Sequence, residues 1–199
     1  MRVAVAPYDP RWRADFERVR RDLATALGHV PVAAIEHVGS TAVPGLAAKP
    51  IIDVDVVVQR SHLAAAIAAL RSAGYAYEGE RGVPDRHAFT APDERPRRHV
   101  YVCLAGSLAL RNHLAVRDVL RADDELRAEY AAVKAALAAR DLTTMDDYVA
   151  AKSRVLRKIL ATAGLSATEL DAVAATNPGP PSGRGGEGGP TRGSSRHLT

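Results

Sequence analysis

The sequence turns on Ile35-Glu36-His37-Val38-Gly39-Ser40-Thr41-Ala42-Val43-Pro44-Gly45-Leu46, which runs through Lys49-Pro50 into Ile51-Ile52-Asp53-Val54-Asp55-Val56-Val57-Val58. An apolar strand leads into Gly-Ser, a loop punctuated by Pro and Gly follows, and a second apolar strand carries two aspartates at alternate positions. Side chains of a strand alternate between faces, so Asp53 and Asp55 share one face while Ile52, Val54, Val56 and Val58 fill the other. Two neighbouring carboxylates among apolar residues repel each other unless a cation lies between them. Oxygen ligands favour Mg²⁺ or Mn²⁺, and Mg²⁺ commonly takes one or two carboxylates with substrate phosphates completing its shell. Gly39 allows close backbone approach, and Ser40 and Thr41 offer hydroxyl and N–H groups suited to phosphate. Taken alone, Gly39-Ser40 reads as an ordinary turn; its coupling to the Asp pair makes it half of a phosphoryl or nucleotidyl transfer site.

Gly39-Ser40, followed after residues 41 to 52 by Asp53-Val54-Asp55, resembles the signature of the polymerase-β-like nucleotidyltransferase superfamily. The longer string from His37 to Leu46, with Lys49-Pro50-Ile51-Ile52-Asp53, resembles more narrowly the GrpB family of small bacterial proteins. The resemblance implies an α+β fold, a nucleotidyltransferase-like mixed β-sheet flanked by helices with a C-terminal helical segment. It also implies transfer of a nucleoside monophosphate from a nucleoside triphosphate (NTP) to an acceptor, which the resemblance does not identify. Members of the family occur joined to dephospho-coenzyme A kinase, which points to a coenzyme A or adenine-nucleotide connection. The expected metal ligands are Asp53 and Asp55, with His99 as the candidate base. The expected phosphate contacts are Gly39, Ser40, Thr41, Lys49 and Arg98, joined by other loop arginines.

In the family a His-x-His pair occupies the strand read here as Arg98-His99-Val100-Tyr101-Val102-Cys103-Leu104; His99 matches its first member and Tyr101 replaces the second. Superfamily members often carry a third carboxylate on a later strand, but this strand has no acid; Asp85 and Asp93 are the loop candidates. If neither reaches the site, either His99 acts as general base or the acceptor is already ionised. Val116-Arg117-Asp118-Val119-Leu120-Arg121 is similar to a family Phe-Arg-Asp-Tyr-Leu-Arg motif, as Tyr130 with Lys134 and Tyr148 with Lys152 are to further family positions.

In chain order, Asp9-Pro10 opens a helix with Trp12, Phe16, Val19, Leu23 and Leu27 on one face and Gly28 as its stop. Strands are expected at 31–38, 51–58, 75–78, 86–90 and 98–104, with a helix from Ser61 to Ala73 and helices on one side of the sheet. From Leu108 the chain reads as helical, with starts near Asp123 and Thr144 and a last helix from Ser166 to Ala174. The expected organisation is a core at 1–107, helices packed on it at 108–175, and a disordered Gly/Pro/Ser/Arg tail at 176–199.

The 199 residues carry 27 Lys and Arg against 23 Asp and Glu, a net charge of +4. With no concentrated basic face, nucleic acid is a poor candidate partner. A single cysteine, Cys103, excludes an internal disulfide and a Cys-based zinc site. No membrane span or signal peptide is read, so the cytoplasm is the expected location. The expected partners are an NTP and a small-molecule acceptor. The competing reading is an inactive binding module for a nucleotide or phospho-ligand, with coenzyme A chemistry as one source.

Overall fold

The computed structural model describes residues 5–139 and 145–176, with side chains described outside 137–152. Its elements run α1 (Arg11–Leu27), β1 (Ala34–Val38), a 3₁₀ turn (Ser40–Ala42), β2 (Ile52–Val58), a second 3₁₀ turn (Arg60–His62) and α2 (Leu63–Ser72). Then follow β3 (Ala76–Tyr77), β4 (Arg86–Thr90), β5 (Arg98–Leu104), α3 (Leu108–Ala122), α4 (Asp124–Ala139), α5 (Met145–Thr162) and α6 (Ala167–Thr176).

The strands form one mixed sheet in the order β1-β2-β5-β4-β3. β2 lies between β1, antiparallel to it, and β5, parallel to it. A parallel neighbour needs a crossover connection. Here α2, β3 and β4 supply it, leaving β2 an interior strand with both edges paired. That explains its near-continuous apolar run, and it makes the two aspartates conspicuous.

One face of the sheet is sealed. Ile52, Val54, Val56 and Val58 of β2 and Val100, Val102 and Leu104 of β5 pack in one cluster with Trp12, Phe16, Val19, Leu23 and Leu27 of α1 and Ala66 and Leu70 of α2. The three- and four-residue spacing on α1 places all five of its side chains on one stripe, as expected of a packing helix. At its start, Pro10 is already helical (φ −60°, ψ −17°), and Asp9 Oδ1 accepts the Arg11 backbone N–H at 2.9 Å.

The other face is covered only in part. Leu110 and Leu114 of α3 pack on Val57, Cys103 and Tyr101. Farther out, Leu120 of α3 and Val155 and Ile159 of α5 enclose Val43 and Leu46 of the loop before β2. Helices therefore flank both faces, where the sequence reading placed them on one side. The first strand begins at Ala34 rather than 31, because Pro31 has no N–H to give to a ladder. Ser61 lies within a 3₁₀ turn and makes no side-chain cap; α2 starts two residues later. The expected tail beyond Thr176 and the Tyr148–Lys152 pair lie outside the described residues and side chains.

Candidate active site

The partly open face of β2 carries the site. Register pairs Asp53 with Val38 of β1 and with His99 of β5, and pairs Asp55 with Glu36 and with Tyr101. Paired residues project to the same side, so Glu36, Asp55 and Tyr101 form one row across the sheet, and Asp53 and His99 stand in the next.

Each aspartate is met by an imidazole. His99 Nδ1 lies 2.9 Å from Asp53 Oδ1. His113 Nδ1, from α3, lies 2.8 Å from Asp55 Oδ2. An ionised carboxylate only accepts, so each Nδ1 is the donor, and in the neutral ring Nε2 is then the acceptor. Asp55 is 0% exposed, and its Oδ1 has no hydrogen-bond partner among the described residues. Asp53 is partly open, its side chain 30% exposed.

The loop after β1 is shaped for close approach to Asp53. Gly39 has φ 71° and ψ −172°, a region open essentially to glycine alone. A Cβ there would collide with Asp53 Oδ2 and lie 3.0 Å from the Asp53 Cβ and Cγ. Ser40 begins the 3₁₀ turn, half-buried, with no hydrogen bond on its hydroxyl among the described residues. The Thr41 hydroxyl is already used: it donates to Ile51 O at 3.3 Å and lies 3.0 Å from His37 Nε2. The helical segment holds this loop from outside. Arg121 Nε donates to Ala42 O at 2.9 Å, and Lys134 Nζ donates to Ala47 O at 2.9 Å. Arg117 binds Glu36 at 2.6 Å and also donates to His37 O at 3.2 Å.

The family model described as GrpB protein matches residues 2–162. The chain belongs to the GrpB family. The crystal structure of conserved protein GrpB from Enterococcus faecalis is similar at TM-score 0.67 and 29% identity, over 81% of this chain and 99% of that one. The UPF0157 protein SCO7215 of Streptomyces coelicolor is 37% identical over 142 residues, 69% of this chain and 71% of that protein. A dephospho-CoA kinase of Mycolicibacterium paratuberculosis is 34% identical over 161 residues, 66% of this chain but only 39% of the kinase.

In this GrpB-family chain Tyr101 is the β5 residue paired with Asp55, and the imidazole beside Asp55 comes from α3. Burial, followed by the charge of Asp53, raises the Tyr101 phenol above its ordinary range, so it is a hydrogen-bond donor at neutral pH. Burial and then the Asp55 charge push the Cys103 thiol up as well, leaving it neutral. His37 is stacked on Phe16 with ring centroids 4.6 Å apart. Burial first, and the positive charge of Arg121 next, lower its pKa to about 4.

Not every expected residue gathers here. Arg98 pairs with Ile52, on the sealed face. Its guanidinium binds Asp93 at 2.9 and 3.0 Å and the Tyr75 hydroxyl at 3.2 Å, so it is committed away from the aspartates. Asp93 is thereby occupied, and Asp85 is taken by Arg60 at 2.8 Å; neither supplies a third carboxylate. The acid that does share the face is Glu36, already paired with Arg117. Lys49 is exposed, with no side-chain hydrogen bond or ion pair among the described residues. Among the described residues, no three His, Cys, Asp or Glu side chains converge on a metal position, and no helix is long and apolar enough to cross a membrane.

The donor set still suits a hard divalent cation. Two carboxylates suffice when substrate phosphates complete the shell, and Asp55 Oδ1 is a buried acceptor with no hydrogen-bond partner among the described residues.

Proposed function

We propose that this chain is a Mg²⁺-dependent nucleotidyltransferase that moves a nucleoside monophosphate from an NTP to a small-molecule acceptor. The observation that carries the reading is the side-by-side placement of Asp53 and Asp55 on an interior strand, with the Gly39 backbone packed against Asp53. Asp53 and Asp55 would hold Mg²⁺, or Mn²⁺, which would neutralise phosphate charge and favour in-line displacement at the α-phosphorus.

The protein's own groups supply the rest. The Gly39 and Ser40 backbone and the free Ser40 hydroxyl face phosphate oxygens, while Thr41 braces the turn through His37 and Ile51. Lys49, exposed beside the loop, adds positive charge for the departing pyrophosphate. His99, oriented through Nδ1 by Asp53, presents Nε2 to take the proton of the acceptor hydroxyl. Arg117, Arg121 and Lys134 fix the loop and the α3 edge from behind, which gives the helical segment a positioning role.

One observation favours a second reading. Asp55 is fully sealed and Glu36 is neutralised by Arg117, an arrangement also suited to a module that binds a nucleotide or coenzyme A-related phospho-ligand without turnover. Incubation with each α-labelled NTP, Mg²⁺ and a pool of small metabolites separates the two. The transferase gives pool-dependent pyrophosphate release and a labelled adduct, both lost in Asp53→Asn. Binding without release supports the module.

A further inference from the structure

A cleft of about 430 Å³ reaches His99 and Tyr101 of β5, the residues paired with Asp53 and Asp55, and is lined among others by Arg81, Arg86, Thr90 and Arg97. Its volume lies within the usual range of small-molecule sites, roughly 300–1,000 Å³. Arg98 also borders it, making four arginines. Three are paired: Arg81 with Glu78, Arg97 with Glu94 at 3.7 Å, and Arg98 with Asp93. These pairs also occupy the acids that border the cleft, Glu78, Asp93 and Glu94.

Arg86 differs. Its guanidinium carbon lies 4.7 Å from the centre of the Tyr101 ring. It has no ion pair among the described residues, and its buried Nε has no hydrogen-bond partner there. A half-buried cation that lacks an acceptor is costly, and a planar guanidinium is matched by a carboxylate or phosphate. The ring beneath it belongs to β5, two residues from His99, and the Tyr101 and His99 ring centres are 6.5 Å apart. The fixed charge and the imidazole thus both neighbour the Tyr101 ring and line one cleft.

We infer that this cleft is the acceptor subsite, and that it takes a small hydroxylated anion whose carboxylate or phosphate pairs with Arg86 while its hydroxyl is presented to His99. The inference rests on the nucleotidyltransferase reading for its chemistry. In the transfer, the acceptor hydroxyl oxygen forms a bond to the α-phosphorus and its proton passes to His99 Nε2. The bond from the α-phosphorus to the bridging oxygen breaks, and that electron pair leaves with pyrophosphate. No oxidant or further reactant is needed.

The anion site is testable without metal or nucleotide. Glycerol 3-phosphate, 4-hydroxybutyrate and glycerol are titrated into the wild-type chain while the ring resonances of His99 and Tyr101 are followed by NMR. At least one of the two anions should shift both rings, glycerol should not, and the anion that binds distinguishes phosphate from carboxylate. Arg86→Gln should weaken that binding about tenfold or more, as expected for loss of a charged hydrogen bond. Arg86→Lys should retain part of it. The inference is overturned if neither anion moves the rings, if glycerol binds equally well, or if folded Arg86→Gln binds like the wild type. Should Arg86→Gln not fold, the wild-type titrations and Arg86→Lys decide. Failure of Mg²⁺–NTP binding leaves this readout intact, so the transferase reading and the anion subsite fall separately.

Discussion

His113 Nδ1 on α3 and Asp55 Oδ2 on β2, 58 positions apart in the chain, meet at 2.8 Å. Because the other Asp55 oxygen has no partner and the residue is fully buried, this hydrogen bond is the main compensation for a sealed carboxylate. Removing the imidazole in His113→Ala should destabilise the fold by roughly 1–3 kcal/mol, the usual cost of a buried polar group left unpaired. Urea unfolding at neutral pH measures it; an unchanged midpoint would show that Asp55 does not depend on His113.

Gly39 and Gly45 both have positive φ, 71° and 78°, but only Gly39 faces a side chain. Gly45→Ala should cost about 1 kcal/mol through backbone strain alone. Gly39→Ala carries that strain and also displaces the Asp53 carboxylate, so it should cost about 2 kcal/mol or more and abolish Mg²⁺–NTP binding. Equal effects of the two substitutions on binding would contradict the packing of Gly39 against Asp53.

The buried His37 ring makes stability depend on pH in a defined direction. Its folded pKa, about 4, lies below the ordinary 6.5, so the unfolded chain binds the proton more readily. Its contribution is complete above pH 6.5 and is lost as the pH falls from 6.5 toward 4, by roughly 3 kcal/mol in total. His37→Gln should flatten that part of the profile. Parallel slopes for wild type and variant across this window would rule out His37 as its source.

The alternation of Ile52 to Val58 made β2 and its paired aspartates legible, because a period of two fixes which residues share a face whatever the rest of the fold does. The α1 stripe and the loop at Gly39 were legible for equally local reasons. Two features were not, and a third was misread. His113 reaches Asp55 from a helix, and its only sequence signal was the four-residue step to Arg117, which puts both on one helix face. Glu36 joins the face only through its register with Asp55, which sequence alone does not fix. Arg98 was misplaced although the signal was present: a neighbour of His99 in a strand points to the opposite face.

His99 is the residue whose loss should separate chemistry from binding. It is half-exposed and oriented by Asp53, and in the proposed reaction it accepts a proton without contributing to the phosphate loop. His99→Ala should lower turnover about 10²- to 10⁴-fold with NTP affinity changed less than about threefold. Single-turnover rates alongside equilibrium binding test this, and an undiminished rate would remove His99 from the mechanism.

The metal–nucleotide site itself is tested most directly by thermal unfolding of wild type and Asp53→Asn with each NTP, with and without Mg²⁺. A ligand at about 100 times its dissociation constant stabilises by roughly 2.7 kcal/mol, a readily seen rise in Tm. The account predicts a Mg²⁺-dependent rise for at least one NTP in the wild type and none in Asp53→Asn. No rise with any NTP, or an equal rise in the variant, would contradict it.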